Sequence, residues 1–362
     1  MKKYDPLEVI GHFQIHAAPV SYEVCTIGHI CDTYFVTATR ENGAKVRFVL
    51  QRMNEQIFKD PPALMHNILS VTEHIGEKLR AAGQDDSRGV MHVIPSLDGK
   101  AYYKEGDSDY FRVYTFIENA VNRQSCENEK ELYAAAYAFG DFQYGLADFD
   151  ASELYEVIPN FHNTESRLKD FCAALDKDVC GRAASVQEEI RFVLDRMSYG
   201  TRITAPLKEG KLPLRVTHND TKLNNVMLDP VTGEGVCVID LDTVMPGSAL
   251  YDFGDLIRFG ASSAAEDERD LSKVYVRTSY YNAARDGFLA GTRGSLTENE
   301  IRMLPDGALV ITFETGVRFL TDYLAGDTYF KTHYEGQNLD RARNQFKLVR
   351  DMEEKIKSGE IR

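Results

Sequence analysis

Three oxygen-bearing side chains fall close together in the middle of the chain: Asp220, Asn225 and Asp240, with His218 two residues ahead of the first. Phosphoryl transfer needs a carboxylate that orients a hydroxyl and takes its proton. It also needs hard oxygen ligands for the divalent cation that accompanies a triphosphate. The run Val216-Thr217-His218-Asn219-Asp220-Thr221-Lys222-Leu223-Asn224-Asn225 supplies the carboxylate and, five residues on, an amide. That is the spacing of a phosphotransfer loop of the form H-x-D-x-x-x-x-N. Asn225 opens a short apolar segment ending at Leu228. Asp229-Pro230-Val231-Thr232-Gly233 carries turn residues, and Val236 to Ile239 returns as an apolar, β-branched strand. Such a hairpin brings Asn225 and Asp240 to adjacent ends, where both reach one magnesium ion. Singly these features say little, since a His-x-Asp triplet or a turn is common and Asp242 alone reads as a solvated charge. In this order they point to phosphoryl transfer, with Asp220 as base and Asn225 and Asp240 as metal ligands.

The elements that must position these groups fall into two kinds. Up to about residue 117 the chain is strand-rich: Tyr22 to Ile27, Asp32 to Thr39, Lys45 to Arg52, Val90 to Pro95, Ala101 to Tyr103 and Phe111 to Ile117. One helix interrupts them, opened by Pro61-Pro62 and carrying Leu64, Ile68, Val71, Ile75 and Leu79 at helical spacing. Farther on, helical patterns dominate, over 132–146, 188–197, 250–259, 274–289 and 309–324. The pattern predicts an α+β, two-lobed protein-kinase-like fold. Residues 1–117 form a small β-rich nucleotide-binding lobe, and residues 118–362 a larger helical lobe holding catalytic and substrate groups. ATP then lies in the cleft, its adenine against the connector Tyr114-Thr115-Phe116-Ile117-Glu118, which makes Tyr114 and Phe116 candidate nucleotide contacts.

Other candidates carry weaker signals. A kinase third strand carries a lysine for the α- and β-phosphates, and strand alternation puts Gln51 in that place with Arg52 on the opposite face. The turn after the first strand has the single glycine Gly28, and His29 stands at its tip, where acceptor or γ-phosphate approaches. Asn219 and Lys222 flank the base, Lys222 close enough to steady developing negative charge. His218 is read as a residue that holds the loop. Asp252 is read likewise, and Phe161-His162-Asn163-Thr164 with Arg167 as either a second patch or a helix start with Asn163 as cap. Arg318 and Asp322, four residues apart, have the spacing of a surface ion pair.

Composition limits the partners. A formal net charge of −14 gives no attraction to nucleic acid or anionic membrane. No 18-residue apolar run and no apolar leader follow the N-terminus, so a cytoplasmic location is expected. Cys25, Cys31, Cys126, Cys172, Cys180 and Cys237 form no C-x-x-C pair, and are expected as reduced thiols. No obligate protein partner is evident.

The signature resembles that of the aminoglycoside phosphotransferase and choline kinase family. The likeness is closest to bacterial N-acetylhexosamine 1-kinases. It rests on Leu214 to Asn225, Ile239 to Ser248, Asp252-Phe253-Gly254-Asp255, Arg258 to Ser262, Gly28-His29-Ile30, Gln51 to Asn54, Ala138 to Gln143, and Arg318-Phe319-Leu320 with Asp322-Tyr323-Leu324. The resemblance implies transfer of the ATP γ-phosphate, with Mg2+, to the anomeric hydroxyl of N-acetylglucosamine or N-acetylgalactosamine. It maps the base onto Asp220 and the metal ligands onto Asn225 and Asp240, with Asp242 supporting a second metal position or the ligands of the first. It also suggests that Arg318 and Tyr329 touch the sugar, with His29 and Asn219 as further substrate contacts and Gly28 and Gln51 on the nucleotide side. The sugar-kinase group lacks the third-strand lysine too, which leaves phosphate neutralisation to magnesium and to residues that the motif does not name. The competing expectations are a kinase of the same fold acting on homoserine, choline or an aminoglycoside, a glycosyltransferase using Asp240-Leu241-Asp242, and a nucleotide-binding pseudokinase.

Overall fold

The computed structural model describes residues 4–26 and 31–362. Gly28 and His29 lie outside the described residues. The first lobe contains α1 (Pro6–Ile10), β1 (Ala18–Val24), β2 (Asp32–Thr39), β3 (Lys45–Arg52), α2 (Pro61–Ala81), α3 (Asp86–Gly89), β4 (Val93–Ile94), β5 (Tyr103–Glu105) and β6 (Asp109–Thr115). Its strands form one antiparallel sheet in the order β1-β2-β3-β6-β4, with β5 on β6. The pairing of β2 with β3 runs unbroken from Asp32↔Arg52 to Thr39↔Lys45. With no bulge, side chains alternate strictly, and Gln51 and Arg52 face opposite ways. Asp60 caps α2 by accepting the Ala63 N–H at 3.0 Å, and Leu64, Ile68 and Val71 bury its apolar stripe.

The second lobe contains α4 (Glu129–Gly145), α5 (Thr164–Lys177), α6 (Gln187–Leu194), α7 (Thr204–Lys208), β7 (Arg215–Thr217), β8 (Val226–Leu228), β9 (Gly235–Val238), β10 (Met245–Gly247), α8 (Ala249–Gly260), α9 (Thr278–Thr292), α10 (Glu298–Arg302), α11 (Leu304–Leu324) and α12 (Gln337–Ser358). The architecture is the α+β, two-lobed protein-kinase-like one. Helices α4 and α9 cross with almost no gap: a Cβ on Gly140 would lie 2.3 Å from the Phe288 carbonyl, and one on Gly291 2.2 Å from that of Tyr137. Only glycine allows that approach.

Two departures from the sequence reading have physical reasons. The helix expected from residue 274 begins at Thr278, because Val274 and Val276 are buried from an extended segment, with Val276 bridged to Ser262. Helix α12 was not anticipated, although Leu339, Ala342, Phe346, Val349, Met352 and Ile356 stand at helical spacing and pack against the core. Its buried face includes Asn338, Asn344 and Gln345, and Asn338 donates to Asp322 and Asp327 at 2.9 Å each. The many charged residues between the apolar positions lower the mean hydropathy and mask the stripe.

The lobes are stitched at the connector. Val121 and Leu228 exchange two backbone hydrogen bonds, at 2.9 and 2.7 Å, which lays the connector along the catalytic hairpin. Arg88 donates to the carbonyls of Glu118 and Asn119 and contacts Asp229 in the hairpin turn.

Candidate active site

The hairpin forms as β8 and β9, paired antiparallel, with Asn225 just before the first strand and Asp240 just after the second. Its mouth is closed by Ile239 N–H donating to the Asn225 carbonyl at 2.9 Å. Asp240 sits at φ 60 and Asn219 at φ 66, a left-handed conformation that Asp and Asn tolerate better than most residues and that often marks functional loops.

The loop carrying Asp220 hangs from buried side chains. His218 is fully buried. Its Nε2–H donates to the Ile239 carbonyl at 2.9 Å, and its Nδ1 accepts the Asp220 N–H at 3.2 Å. The imidazole therefore ties the Asp220 loop to the hairpin, as the sequence suggested. Asp252 at the start of α8 accepts from the backbone N–H of His218 (3.0 Å) and Asn219 (2.7 Å) and from Gln143 (2.7 Å). Its own carbonyl accepts the Thr221 hydroxyl at 2.6 Å. Asn219 donates its side-chain N–H to the carbonyls of Thr217 and Thr243 and is 5% exposed. Its amide nitrogen is thus a strut of the loop rather than a group open to the cleft.

Asp220 stands between a cation and an amide. Lys222 Nζ lies 2.7 Å from Oδ1, and Asn225 Nδ2 donates to Oδ2 at 3.1 Å and to the Asp220 carbonyl at 2.8 Å. Burial disfavours the charge on Asp220, but Lys222, His218 and Asn225 more than offset it and hold the carboxyl below its usual range. Asp240 is the opposite case. Its side chain opens to the cleft yet is ringed by protein. That enclosure, with the Asp242 and Asp220 charges, pushes its carboxyl up to about 6. Asp242 adds a buried Oδ1 with no aligned hydrogen-bond donor.

Crowded carboxylates with unmatched oxygens are what a divalent cation relieves. Asn225, its amide nitrogen turned to Asp220, leaves its oxygen as an acceptor. The residues present fit a divalent cation, which Asn225 and Asp240 would hold.

On the nucleotide side, Gln51 does not face an open phosphate site. Its Oε1 accepts from Arg112 Nε at 2.9 Å, and its Nε2 donates to Thr33 at 3.0 Å. Arg112 escaped the sequence reading. The signal was there, in a charged residue between Phe111 and Val113 in an otherwise apolar strand. Arg52 points away, to Asp109 and Asp32. Tyr114 is buried under the cleft beside Arg112. Phe116 is half-buried, its ring packed edge-on against Phe35 and under the Arg47 guanidinium, and its N–H is bonded to the Arg47 carbonyl.

A second cluster adjoins the loop from α11. His162 contacts Glu314 at 2.9 Å through Nδ1 and the Asn219 carbonyl at 3.3 Å through Nε2. Thr164 also donates to Glu314, at 2.5 Å. One turn along α11, Arg318 lies 5.7 Å from the Phe161 ring and 5.4 Å from that of Phe330. Burial and the nearby Arg167 charge hold its pKa below the ordinary arginine value, against Glu314 and Tyr329. Asp322 forms no ion pair with Arg318. It accepts the N–H groups of Thr328, Tyr329 and Phe330 and so shapes the segment that presents Tyr329, which is 71% exposed. The expected surface pair is thus replaced by a buried loop anchor.

The phosphotransferase enzyme family model matches residues 22–280. Among solved structures, an aminoglycoside phosphotransferase from Alicyclobacillus acidocaldarius is 12% identical, with 99% of this chain and 98% of that one covered at a TM-score of 0.64. A choline kinase from Cryptosporidium parvum is 14% identical, over 94% and 91% of the two chains, at 0.57. An amicoumacin kinase solved with AMP-PNP and Ca2+ is 15% identical, over 97% and 94%, also at 0.57. The matched segment runs from the first strands through the β8–β9 hairpin and the helix that anchors its loop, and the chain accordingly belongs to the phosphotransferase enzyme family.

Proposed function

We propose that the chain is an ATP-dependent N-acetylhexosamine 1-kinase. The observation that carries the phosphotransfer reading is Asp220 held ionised between Lys222 and Asn225, beside the hairpin end that presents Asp240. Asp220 accepts a hydrogen bond from the anomeric hydroxyl and orients its oxygen toward the γ-phosphorus. The O1–P bond forms as the β–γ anhydride bond breaks, ADP leaves, and the hydroxyl proton passes to Asp220 and then to water. An anomeric hydroxyl is comparatively acidic and the phosphoryl transition state is loose, so orientation matters more than basicity. An Asp220 carboxyl below the usual range suits that task. Lys222, already 2.7 Å from Asp220, faces the same space and steadies charge on the transferred group. Asn225 and Asp240 would hold a magnesium ion, which when bound would neutralise the phosphate oxygens.

The acceptor is read from the second cluster and from the sequence likeness to the sugar kinases. Arg318 supplies donors between aromatic faces, and Tyr329 an aromatic ring with a hydroxyl, which suits a neutral, polar ring. The pairing of Arg318 with Arg167 weighs against a cationic acceptor such as choline or an aminoglycoside, which would meet like charge. Incubation with ATP, magnesium and each sugar, followed by phosphorus NMR, tests the reading. An anomeric phosphate is expected with N-acetylglucosamine or N-acetylgalactosamine. A 6-phosphate, or no product from either sugar, would refute it.

A further inference from the structure

The kinase third strand should place a cation at the phosphates, and β3 places none there. Of its cations near the cleft, Arg47 pairs with Glu118 at the connector and Arg52 with Asp109 and Asp32 on the far face. The position of the missing lysine is Gln51. Its direct partner across the β3–β6 pairing is Arg112, and Gln51 Oε1 accepts the Arg112 Nε–H at 2.9 Å. Arg112 is 1% exposed. Its Nη2 donates to Asp242 Oδ2 at 2.9 Å, and its Nη1 lies 2.5 Å from Oδ1, an ion contact rather than an aligned hydrogen bond. The Tyr114 ring, 5.3 Å from the guanidinium carbon, and Met65 Sδ complete its surroundings. The pair joins the first lobe's sheet to the loop that carries Asp240.

We propose that Arg112 is the first-lobe cation of this site, a positioning residue displaced by one strand from the usual lysine, which acts on the bound magnesium–nucleotide through Asp242. This rests on the phosphotransfer reading above. A buried charge pair is weak evidence for stability, because desolvation cancels much of the attraction. Its specific consequence is geometric. Asp242 is gripped by a planar fork, and Asp240, two residues earlier at φ 60, is thereby held facing the cation site. Gln51 fixes the fork from behind and Thr33 fixes Gln51. The charge needed near the phosphates has moved sideways across the sheet, and the acid that balances it comes from the catalytic loop.

The test uses the full chain with AMP-PNP binding, measured by calorimetry with magnesium and with EDTA, alongside sugar kinase rates and melting. Arg112→Gln is expected to weaken nucleotide binding about 10- to 100-fold in magnesium and far less in EDTA, with kcat lowered and sugar KM unchanged. Gln51→Lys combined with Arg112→Gln, which returns a cation to β3, is expected to recover about tenfold of the loss. Arg112→Lys, which keeps the charge but not the fork, should fall between. If Arg112→Gln does not fold, Arg112→Lys alone decides. Wild-type magnesium dependence and kcat in the folded Arg112→Gln or Arg112→Lys protein would leave Arg112 a structural staple and overturn the proposal. A wild-type chain that binds AMP-PNP with magnesium but phosphorylates no sugar overturns the acceptor assignment and leaves the Arg112 comparison intact.

Discussion

Ile239 and Asn225 share one backbone hydrogen bond, 2.9 Å long, at the mouth of the catalytic hairpin. That rung decides that the next residue, Asp240, emerges beside the Asn225 amide. Enclosure by protein, with the crowding of acids it brings, has a testable consequence. The Asp240 carboxyl is pushed up to about 6 from an ordinary 3.8. Between those values the folded chain keeps a proton that the unfolded chain releases, so Asp240 lowers stability as pH rises through that window. Asp240→Asn cannot ionise and tolerates the positive φ. In EDTA the variant should melt above wild type at pH 7 to 8, with the gain shrinking toward pH 4. Magnesium with nucleotide should stabilise wild type far more than the variant. Identical melting of the two proteins across this range in EDTA would show that the acid is not strained.

Asp220→Asn keeps the shape of the loop and removes the proton acceptor. Turnover should fall by about 100- to 10,000-fold, with AMP-PNP affinity little changed. A variant turning over at near-normal rate would remove Asp220 from the role of base. Steady-state rates and calorimetry on the same preparation separate the two effects.

Asp252→Ala leaves three donors, on His218, Asn219 and Gln143, without their buried acceptor. A loss of about 2–4 kcal/mol in unfolding free energy is expected, together with a fall in kcat, since the displaced backbone carries Asp220. Denaturant titration measures the first. A variant with unchanged midpoint would show that the loop is held by something other than Asp252.

Arg318→Met preserves bulk between Phe161 and Phe330 while deleting the donors. If the second cluster binds the sugar, KM for the sugar rises by about tenfold or more, while KM for ATP is unmoved. Equal effects on both constants would place Arg318 outside the acceptor pocket.

Gly291→Ala inserts a methyl group 2.2 Å from the Tyr137 carbonyl. Forcing α4 and α9 apart should cost about 1–3 kcal/mol, read by thermal or chemical denaturation. Full stability in this variant would mean the helix crossing is looser than described.

The grouping of Asp220, Asn225 and Asp240 was legible because it is local. Asp220 and Asn225 are five residues apart, and a short hairpin brings Asp240 back to them, so spacing and turn residues suffice. The two-lobed fold was legible for a similar reason, since β-branched runs precede helical periods. Strand alternation also determined that Gln51 and Arg52 face opposite ways. The rest depends on contacts between distant segments. That the first-lobe cation is Arg112 follows only from β6 lying beside β3 and facing a loop 130 residues later. That Asp322 anchors the 328–330 segment rather than pairing with Arg318 follows from a chain reversal after α11. Helix α12 carries its apolar stripe among many charged residues, and the amides on its buried face, such as Asn338, depend on partners that local sequence does not contain. Sequence determined which atoms can do the chemistry. Tertiary packing decided which charges stand next to them, because electrostatic and hydrogen-bond partners are chosen by distance in space.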